Sequence, residues 1–313
     1  YHLARSDVDV LLVDRRDEGR ATTAGAGIIS PVTSTSHDDA WFDLAAAAVR
    51  IYPDLDAALC EAGIEETGYA SSEVMTVAAD RAERPTFDAA REQILDRRRR
   101  RGHPPAGELY EIAPDEAVDR FPPLGDVHRA LIYEGGARVD GQAFASALRL
   151  AAETAGGTVR NGEVEKLQLA GDAVTGAVVD GQDVPADQVV IAGGAWSPTF
   201  ADQLDLGIPV TPQRGQIAHL GVGTDTGSWP IIAAFRGHYL VPWPDGRVAA
   251  GATREDDVGY EPHRTVAGVR EVMDEALRVA PGLAEAAVHE IRVGLRPATP
   301  DELPVLGPVP TVD

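Results

Sequence analysis

The segment Val8-Asp-Val-Leu-Leu-Val-Asp14 decides how the fold of this chain is interpreted. It is mostly apolar and ends in a carboxylate, a pattern that predicts a strand buried in a parallel sheet. The second strand of a dinucleotide-binding βαβ unit ends in such an acid, which accepts hydrogen bonds from ribose hydroxyls. Asp14 is therefore a candidate ligand of FAD or NAD, because its charge would repel the 2′-phosphate of NADP. An ordinary acid at the end of a strand is the alternative.

The two ends of the chain are interpreted from the same unit. Its first strand and Gly-x-Gly-x-x-Gly turn come before the second strand, and they would precede Tyr1. At the other end, Leu306 to Asp313 start toward another strand and stop. We therefore expect the chain to be a fragment that is open at both ends.

Two later segments contain the small residues that let a backbone approach a cofactor closely. Residues 20–29 are Arg-Ala-Thr-Thr-Ala-Gly-Ala-Gly-Ile-Ile, so N–H groups are open to phosphate and the threonine hydroxyls can bind pyrophosphate. A flexible surface loop is the alternative, which the two isoleucines disfavour. Residues 189–197 are Val-Val-Ile-Ala-Gly-Gly-Ala-Trp-Ser, which predicts a buried strand entering a glycine turn that contacts the dinucleotide. Packing without a ligand is the alternative for this turn.

The segment Arg292-Val-Gly-Leu-Arg-Pro-Ala-Thr-Pro-Asp-Glu-Leu-Pro-Val-Leu-Gly307 contains a candidate carboxylate-binding residue. Its apolar positions predict a buried strand that stops and restarts near Val305. An arginine at the end of such a strand is held rigidly, and its planar guanidinium can bind a carboxylate through two parallel hydrogen bonds. Arg296 has this position, and a structural salt bridge is the alternative role.

Composition excludes several classes of partner. The chain has 313 residues with 50 acidic and 28 basic side chains, a net charge of −22, so it repels nucleic acid and anionic membranes. Lys166 is the single lysine, and an acidic, lysine-poor surface resembles those of salt-in halophiles. An acidic protein from a GC-rich genome is the alternative. Cys60 is the single cysteine, which rules out an intrachain disulfide. No signal peptide or apolar run of about 18 residues is present, so we predict a cytoplasmic protein.

The remaining patterns alternate between helices and strands. Pro53 lies inside the first long helix and predicts a kink or a break there. A helix stop is predicted at Gly102. The predicted helices are Asp38–Ala62, Arg81–Arg101, Asp140–Ala155 and Thr265–Ala280, and the predicted strands fall within 67–79, 162–169, 173–179, 188–192 and 210–252.

The order of these motifs resembles the FAD-dependent D-amino-acid oxidase superfamily, nearest to the glycine oxidase and sarcosine oxidase type. The likeness covers nearly the whole chain. It begins with the acid-ended strand and continues through Thr22-Thr-Ala-Gly-Ala-Gly27, Val190-Ile-Ala-Gly-Gly-Ala-Trp-Ser197, Pro209-Val-Thr-Pro-Gln-Arg-Gly-Gln216, Tyr239-Leu-Val-Pro242, Gly251-Ala-Thr253 and Gly294-Leu-Arg-Pro297. The family's N-terminal glycine turn and C-terminal glycine-rich flavin segment are missing from it, which puts FAD binding by this fragment alone in doubt.

The resemblance implies an α/β fold in two interleaved parts. A doubly wound, Rossmann-like FAD-binding domain alternates along the chain with an α+β substrate domain built on a large antiparallel sheet. The implied FAD-binding parts are 1–79, 136–208 and 291–313, and the implied substrate parts are 80–135 and 209–290.

The resemblance also implies roles for individual residues. Arg296 and Tyr239 match positions that bind the substrate carboxylate, although a core tyrosine is the alternative for Tyr239. Arg254 follows the strand near the pocket for the substrate side chain, so it is a candidate for binding a substrate with an acidic side chain. A solvated arginine is the alternative. The implied FAD-binding residues are Asp14, Arg15, Thr22, Thr23, Ala24, Ala26, Gly27, Ile28, Val164, Ala192, Gly193, Gly194 and Trp196.

The implied reaction is hydride transfer from the α carbon of glycine, sarcosine or a D-amino acid to flavin N5. Oxygen or an electron-transfer protein would accept the electrons. A catalytically silent fragment or subunit that kept the fold is the second hypothesis. A nicotinamide-dependent enzyme is the third, disfavoured by the Thr22–Ile28 loop and by Gly294–Pro297.

Overall fold

A computed structural model describes residues 1–6, 8–35, 38–101, 107–310 and 312. The α-helices within those ranges are α1 (Ala21–Ala24), α2 (Asp39–Glu61), α3 (Arg84–Arg101), α4 (Pro114–Arg120), α5 (Gly141–Thr154) and α6 (Val266–Val279). The 3-10 helices are Ala4–Ser6, Pro31–Thr33, Arg81–Glu83, Gly194–Phe200, Asp202–Leu204, Phe235–Gly237 and Pro281–Leu283. None of the helices in these ranges is both long enough and apolar enough to cross a membrane.

The strands form one large sheet and three small ones. They are β1 (Leu11–Asp14), β2 (Ile28–Ile29), β3 (Tyr69–Ser71), β4 (Val74–Ala78), β5 (Leu109–Ile112), β6 (Arg129–Tyr133), β7 (Ala137–Val139), β8 (Thr158–Asn161), β9 (Val164–Ala170), β10 (Ala173–Val179), β11 (Gln182–Pro185), β12 (Thr211–Gly221), β13 (Ile231–Ala234), β14 (Tyr239–Trp243), β15 (Arg247–Gly251) and β16 (Ala287–Ala298).

The large sheet has the order β16-β12-β15-β14-β13-β4-β6-β5. Its pairs are antiparallel except for β13 with β4, so the large antiparallel sheet that was predicted includes one parallel pair. The small sheets are β1-β8, which is parallel, β2-β7-β3 and β11-β10-β9. The predicted α/β class with a large sheet is confirmed.

One face of the large sheet is covered by α6. Side chains such as Ala218, Leu240 and Ala250 point to this face and form a buried cluster with Val272 and Ala276 of the helix. Because side chains alternate along a strand, the neighbouring residues point to the opposite face, which is the one that carries the candidate site.

Side-chain caps explain where three predicted helices begin. Asp38 accepts a hydrogen bond from the N–H of Trp41 at 2.7 Å, and Asp140 accepts from two N–H groups at the start of α5. Thr265 does the same for α6. The three helices are confirmed, although α2 continues past Pro53 without the break that the proline allowed. The predicted stop at Gly102 lies outside the described residues.

Of three strands predicted to be buried, the one at 8–14 is confirmed as the parallel strand β1 but is exposed, and the other two do not form. Leu11 and Leu12 of β1 are 40% and 44% exposed, because this strand pairs only with β8 in the part of the chain that the structure describes. Residues 188–192 form no strand, and Val190 is 77% exposed. Val305 and Leu306 are likewise exposed and unpaired within the described ranges. Each segment is apolar, but no neighbouring strand or helix covers it.

The large sheet takes strands from several of the predicted parts. β4 lies before the boundary predicted at 79/80, and β16 crosses the one predicted at 290/291. The division at those boundaries stays a prediction.

Candidate functional site

The residues predicted to hold adenosine lie together at the end of β1. Because β1 runs parallel to β8, the turn after β8 returns to the acid, and the N–H of Gly162 donates to the carbonyl of Asp14 at 3.3 Å. Arg15 Nη1 bonds Glu163 Oε1 at 2.5 Å, directly before Val164. The fold thus gathers Asp14, Arg15 and Val164 from two distant parts of the chain.

Arg20 is a candidate cofactor ligand to which the sequence analysis assigned no role. Its Nη1 donates to Asp14 Oδ2 at 3.1 Å, whereas its Nε is buried and has no partner among the described residues. An unsatisfied buried donor costs about 1–3 kcal/mol, which suits a site where a phosphate oxygen completes the hydrogen bond. The orphaned donor therefore fits a dinucleotide. An arginine directly before a Thr-Thr loop was the available sequence signal.

The small-residue loop continues from Arg20 onto the large sheet. Thr22 and Thr23 lie in α1, and the Thr23 hydroxyl donates to the Arg20 carbonyl at 2.9 Å. Gly27 has a φ of +70°, and a Cβ there would lie 1.7 Å from the Val139 carbonyl oxygen, so only glycine fits. Ala24 and Ala26, just before this glycine, are buried. Ala26 packs in one cluster with the partly buried Ile28 and Tyr239.

The second glycine segment forms a 3-10 helix, Gly194–Phe200, instead of a strand and turn. Ala192, Gly193 and Gly194 are exposed, so their backbones are accessible. The Trp196 ring stacks on Tyr260 with centroids 5.8 Å apart, and the Tyr260 hydroxyl donates to the Ala195 carbonyl. This helix lies against β12 and β16, next to the strands that carry the carboxylate-binding candidates.

Strand register brings Arg296 and Tyr239 onto one face of the large sheet. Arg296 on β16 lies opposite Gln213 on β12. Ile217 points to the same face of β12 as Gln213, and it lies opposite Gly251 on β15. Tyr239 on β14 also lies opposite Gly251, because β14 pairs with the other edge of β15. Alternation therefore directs Arg296 and Tyr239 to the same side of the sheet, with β12 and β15 between their strands.

The two side chains are prepared to donate hydrogen bonds. Arg296 Nη1 donates to Gln213 Oε1 at 2.8 Å, which orients the guanidinium, while Gln213 itself bonds Asp256. Burial raises the pKa of Tyr239 to about 12, more than the nearby cations Arg296 and Arg254 lower it, so its phenol stays protonated. Gln213 was missed by the sequence analysis, and only its strand alternation with Gly215 could have indicated it.

A buried network on the other face holds this region in register. Arg214 Nη2 bonds Glu255 Oε2 at 2.6 Å, and Gln216 and Thr253 donate to the second oxygen at 2.6 and 2.8 Å. Burial would raise the pKa of Glu255, but these hydrogen bonds outweigh it and lower the value. Since Thr253 and Glu255 point to this face, Arg254 between them points to the face of Tyr239.

Comparison with known proteins identifies relatives along the whole chain. The sequence model of the family DAO, FAD dependent oxidoreductase, matches residues 1–313. The chain is 38% identical to the uncharacterized oxidoreductase YurR of Bacillus subtilis, covering 100% of this chain and 83% of the relative. It is 30% identical to glycine oxidase of Pseudomonas aeruginosa, covering 99% and 82% respectively. The crystal structure of iminodiacetate oxidase from Chelativorans sp. BNC1 matches with a TM-score of 0.93 and 38% identity, covering 100% of this chain and 83% of that one.

Proposed function

The chain belongs to the DAO family of FAD-dependent oxidoreductases, and from this we propose that it oxidises the C–N bond of a small amino acid or N-alkyl amino acid. The relatives support this class, because glycine and iminodiacetate, after which two of them are named, each carry a carboxylate on the carbon bonded to nitrogen. Candidate substrates are glycine, sarcosine, D-amino acids and iminodiacetate.

One observation carries the proposal. Arg296 and Tyr239 share one face of the sheet, and within the described residues neither side chain is paired with a carboxylate. In a chain with 50 acidic and 28 basic residues, an arginine without an acidic partner is available for an anionic ligand. The guanidinium can bind both oxygens of a substrate carboxylate while the phenol donates a third hydrogen bond.

The residues at the site fit FAD in two groups. When bound, FAD supplies an acceptor at N5 for the hydride that leaves the substrate α carbon. Residues proposed to hold its adenosine are Asp14, Arg15 and Val164, and those proposed to hold its pyrophosphate and to lie beside its ring are Arg20, Thr22, Thr23, Ala24, Ala26, Gly27, Ile28, Ala192, Gly193, Gly194 and Trp196. The buried, unpartnered Nε of Arg20 supports this assignment.

The carboxylate-binding residues would act by orientation. Arg296 and Tyr239 fix one end of the substrate, so that a single C–H bond faces the cofactor. With the hydride transferred, the nitrogen lone pair would form the C=N bond and the nitrogen would lose a proton to water, which requires no side-chain base. Water then hydrolyses the imine to a 2-oxo acid and an amine or ammonia. Oxygen or an electron-transfer protein would accept the electrons.

Anaerobic reduction of the full-length FAD-loaded protein tests this function. We expect the flavin absorbance to bleach with at least one of the candidate substrates, and Arg296→Gln to slow bleaching about 100-fold, the loss expected for a bidentate charged pair. Arg270→Gln is the matched control, because this arginine on α6 is 80% exposed and far from the site face. Failure of every candidate to bleach bound FAD would refute the proposal. Recovery of absorbance in air would identify oxygen as the acceptor.

A further inference from the structure

Arg254 is a second cation on the face that holds Arg296 and Tyr239. We infer that the site takes a small amine carrying two carboxylates, one held by Arg296 with Tyr239 and the other by Arg254. This inference rests on the proposed function and specifies its substrate class.

The position of Arg254 follows from the backbone around it. It lies between Thr253 and Glu255, whose side chains bond each other on the face of α6, so its own side chain points to the opposite face. There its guanidinium packs on the backbone of Gly237, two residues before Tyr239. A Cβ at Gly237 would lie 2.6 Å from Arg254 Nη1, so a larger residue would displace the guanidinium.

Arg254 has no carboxylate partner among the described residues, although two acidic residues follow it. Glu255 is bonded to Arg214 at 2.6 Å, and Asp256 accepts from Gln213 at 2.8 Å. Both neighbouring carboxylates are therefore engaged elsewhere. In a chain of net charge −22, neither Arg254 nor Arg296 forms an ion pair among the described residues, although the charge of Glu302 acts on Arg296.

The electrostatics of the pair favour a doubly charged ligand. Partial desolvation lowers the pKa of Arg296 and the positive charge of Arg254 lowers it further, while Tyr239 and Glu302 oppose the shift with smaller effects. Neighbouring like charges repel each other, and that repulsion weakens when an anion binds between or beside them. A ligand with one carboxylate neutralises one guanidinium, whereas a ligand with two neutralises both.

The loop that packs on Arg254 is anchored by ion pairs. Arg236, beside Gly237, lies 3.6 Å from Glu83 and 3.4 Å from Glu275. Glu83 is buried and also bonds Arg278 at 3.0 Å. These contacts connect the loop to α6 and to the segment before α3. The contact surface of Arg254 is thereby held in place before a ligand arrives, which lowers the ordering cost of binding.

The test compares substrates that differ by a single carboxylate. Iminodiacetate is sarcosine with a carboxylate on the N-methyl carbon, and D-aspartate is D-alanine with one on the side-chain carbon. We expect kcat/KM for the diacid to exceed that for its monoacid by about 10- to 100-fold in at least one pair, the range of a charge-assisted hydrogen bond. The pair that shows the preference identifies where the second carboxylate is attached.

Variants assign the preference to Arg254. Arg254→Gln should remove it by lowering kcat/KM for the diacid about 10- to 100-fold and for the monoacid less than about 3-fold. Arg254→Lys should keep part of the preference, and Arg296→Gln should impair both substrates. Arg270→Gln, on α6, should change neither.

Binding of unreactive analogues gives a readout independent of turnover. Thiodiacetate and (methylthio)acetate have sulfur in place of the amine and cannot form an imine. By calorimetry, thiodiacetate should bind at least about 10-fold more tightly, and Arg254→Gln should remove this difference. Equal kcat/KM for diacid and monoacid in both substrate pairs, together with equal affinity for the two analogues, would overturn the inference while leaving the proposed function intact. Absence of bleaching with every substrate would instead refute the proposed function.

Discussion

Replacing Tyr239 by phenylalanine separates binding of the substrate carboxylate from stability of the fold. The ring of Tyr239 packs beside Ala26 and Ile217, and phenylalanine preserves this contact. The hydroxyl lies over Gly251 and makes no hydrogen bond to another residue in the part of the chain that the structure describes. Its removal therefore breaks no hydrogen bond among the described residues.

The expected magnitude follows from the single interaction that is lost. A hydrogen bond to a charged group contributes about 1.5–3 kcal/mol, so kcat/KM for the amino-acid substrate should fall about 10- to 150-fold. The free energy of unfolding should change by less than about 0.5 kcal/mol, because no partner is left unsatisfied. Since burial holds the pKa of Tyr239 near 12, the wild-type phenol should remain a donor throughout the neutral range.

Stopped-flow reduction of the flavin and urea unfolding measure the two effects on the same preparation. Tyr52→Phe is the matched control, because this tyrosine packs against Tyr69 and Phe144 in a different cluster. An unchanged kcat/KM in Tyr239→Phe would refute the carboxylate-binding role. A large loss of stability would mean that the hydroxyl supports the core and not the ligand.

Three further changes test other parts of the site and its support. Arg20→Gln should weaken FAD binding about 10-fold or more, and fluorescence titration with FAD measures this. The unfolding free energy should fall by less than about 1 kcal/mol, because Nε has no partner among the described residues and the ion pair with Asp14 is partly exposed. Glu255→Ala should lower the free energy of unfolding in urea by about 3 kcal/mol or more, since it leaves Arg214 buried without its counter-charge. Burial, with the charges of Arg292 and Arg247, lowers the pKa of His219 to about 4 from 6.5, so stability should be lost as pH falls from 6.5 toward 4, by up to about 3 kcal/mol.

Surface substitutions of the same kind serve as controls for these three. Arg81→Gln should leave FAD affinity unchanged, and an effect as large as that of Arg20→Gln would argue against a specific contact. Asp274→Ala removes an exposed ion pair with Arg270 and should cost less than about 1 kcal/mol. His128→Gln at the exposed surface should keep the acid sensitivity, whereas His219→Gln should reduce it. Equal acid sensitivity in both histidine variants would contradict the assignment to His219.

Local sequence signals were sufficient to predict those features of the structure that depend on residues close together in the chain. The caps Asp38, Asp140 and Thr265 marked helix starts because a capping side chain bonds N–H groups only two or three positions away. The order of the motifs identified the family, which the match over residues 1–313 confirms. The same signals predicted burial at 8–14, where β1 forms but is exposed, and predicted strands at 188–192 and 305–306 that do not form. Apolar composition shows that a segment would be stabilised by burial, but burial itself requires a strand or helix from elsewhere in the chain to cover the segment.

The site itself depended on register between distant strands. The sequence by itself determined the helix starts, the family and Arg296 and Tyr239 as candidates. It could not predict that Arg296 bonds Gln213, which is 83 positions away, or that Arg20 Nε has no partner among the described residues. Side-chain alternation has a period of two, so a shift of one residue in the pairing of β12 with β16 would move Arg296 to the other face of the sheet. Only the tertiary structure decides that register, because it is determined by packing of the whole sheet against α6 and α1 and not by any segment alone.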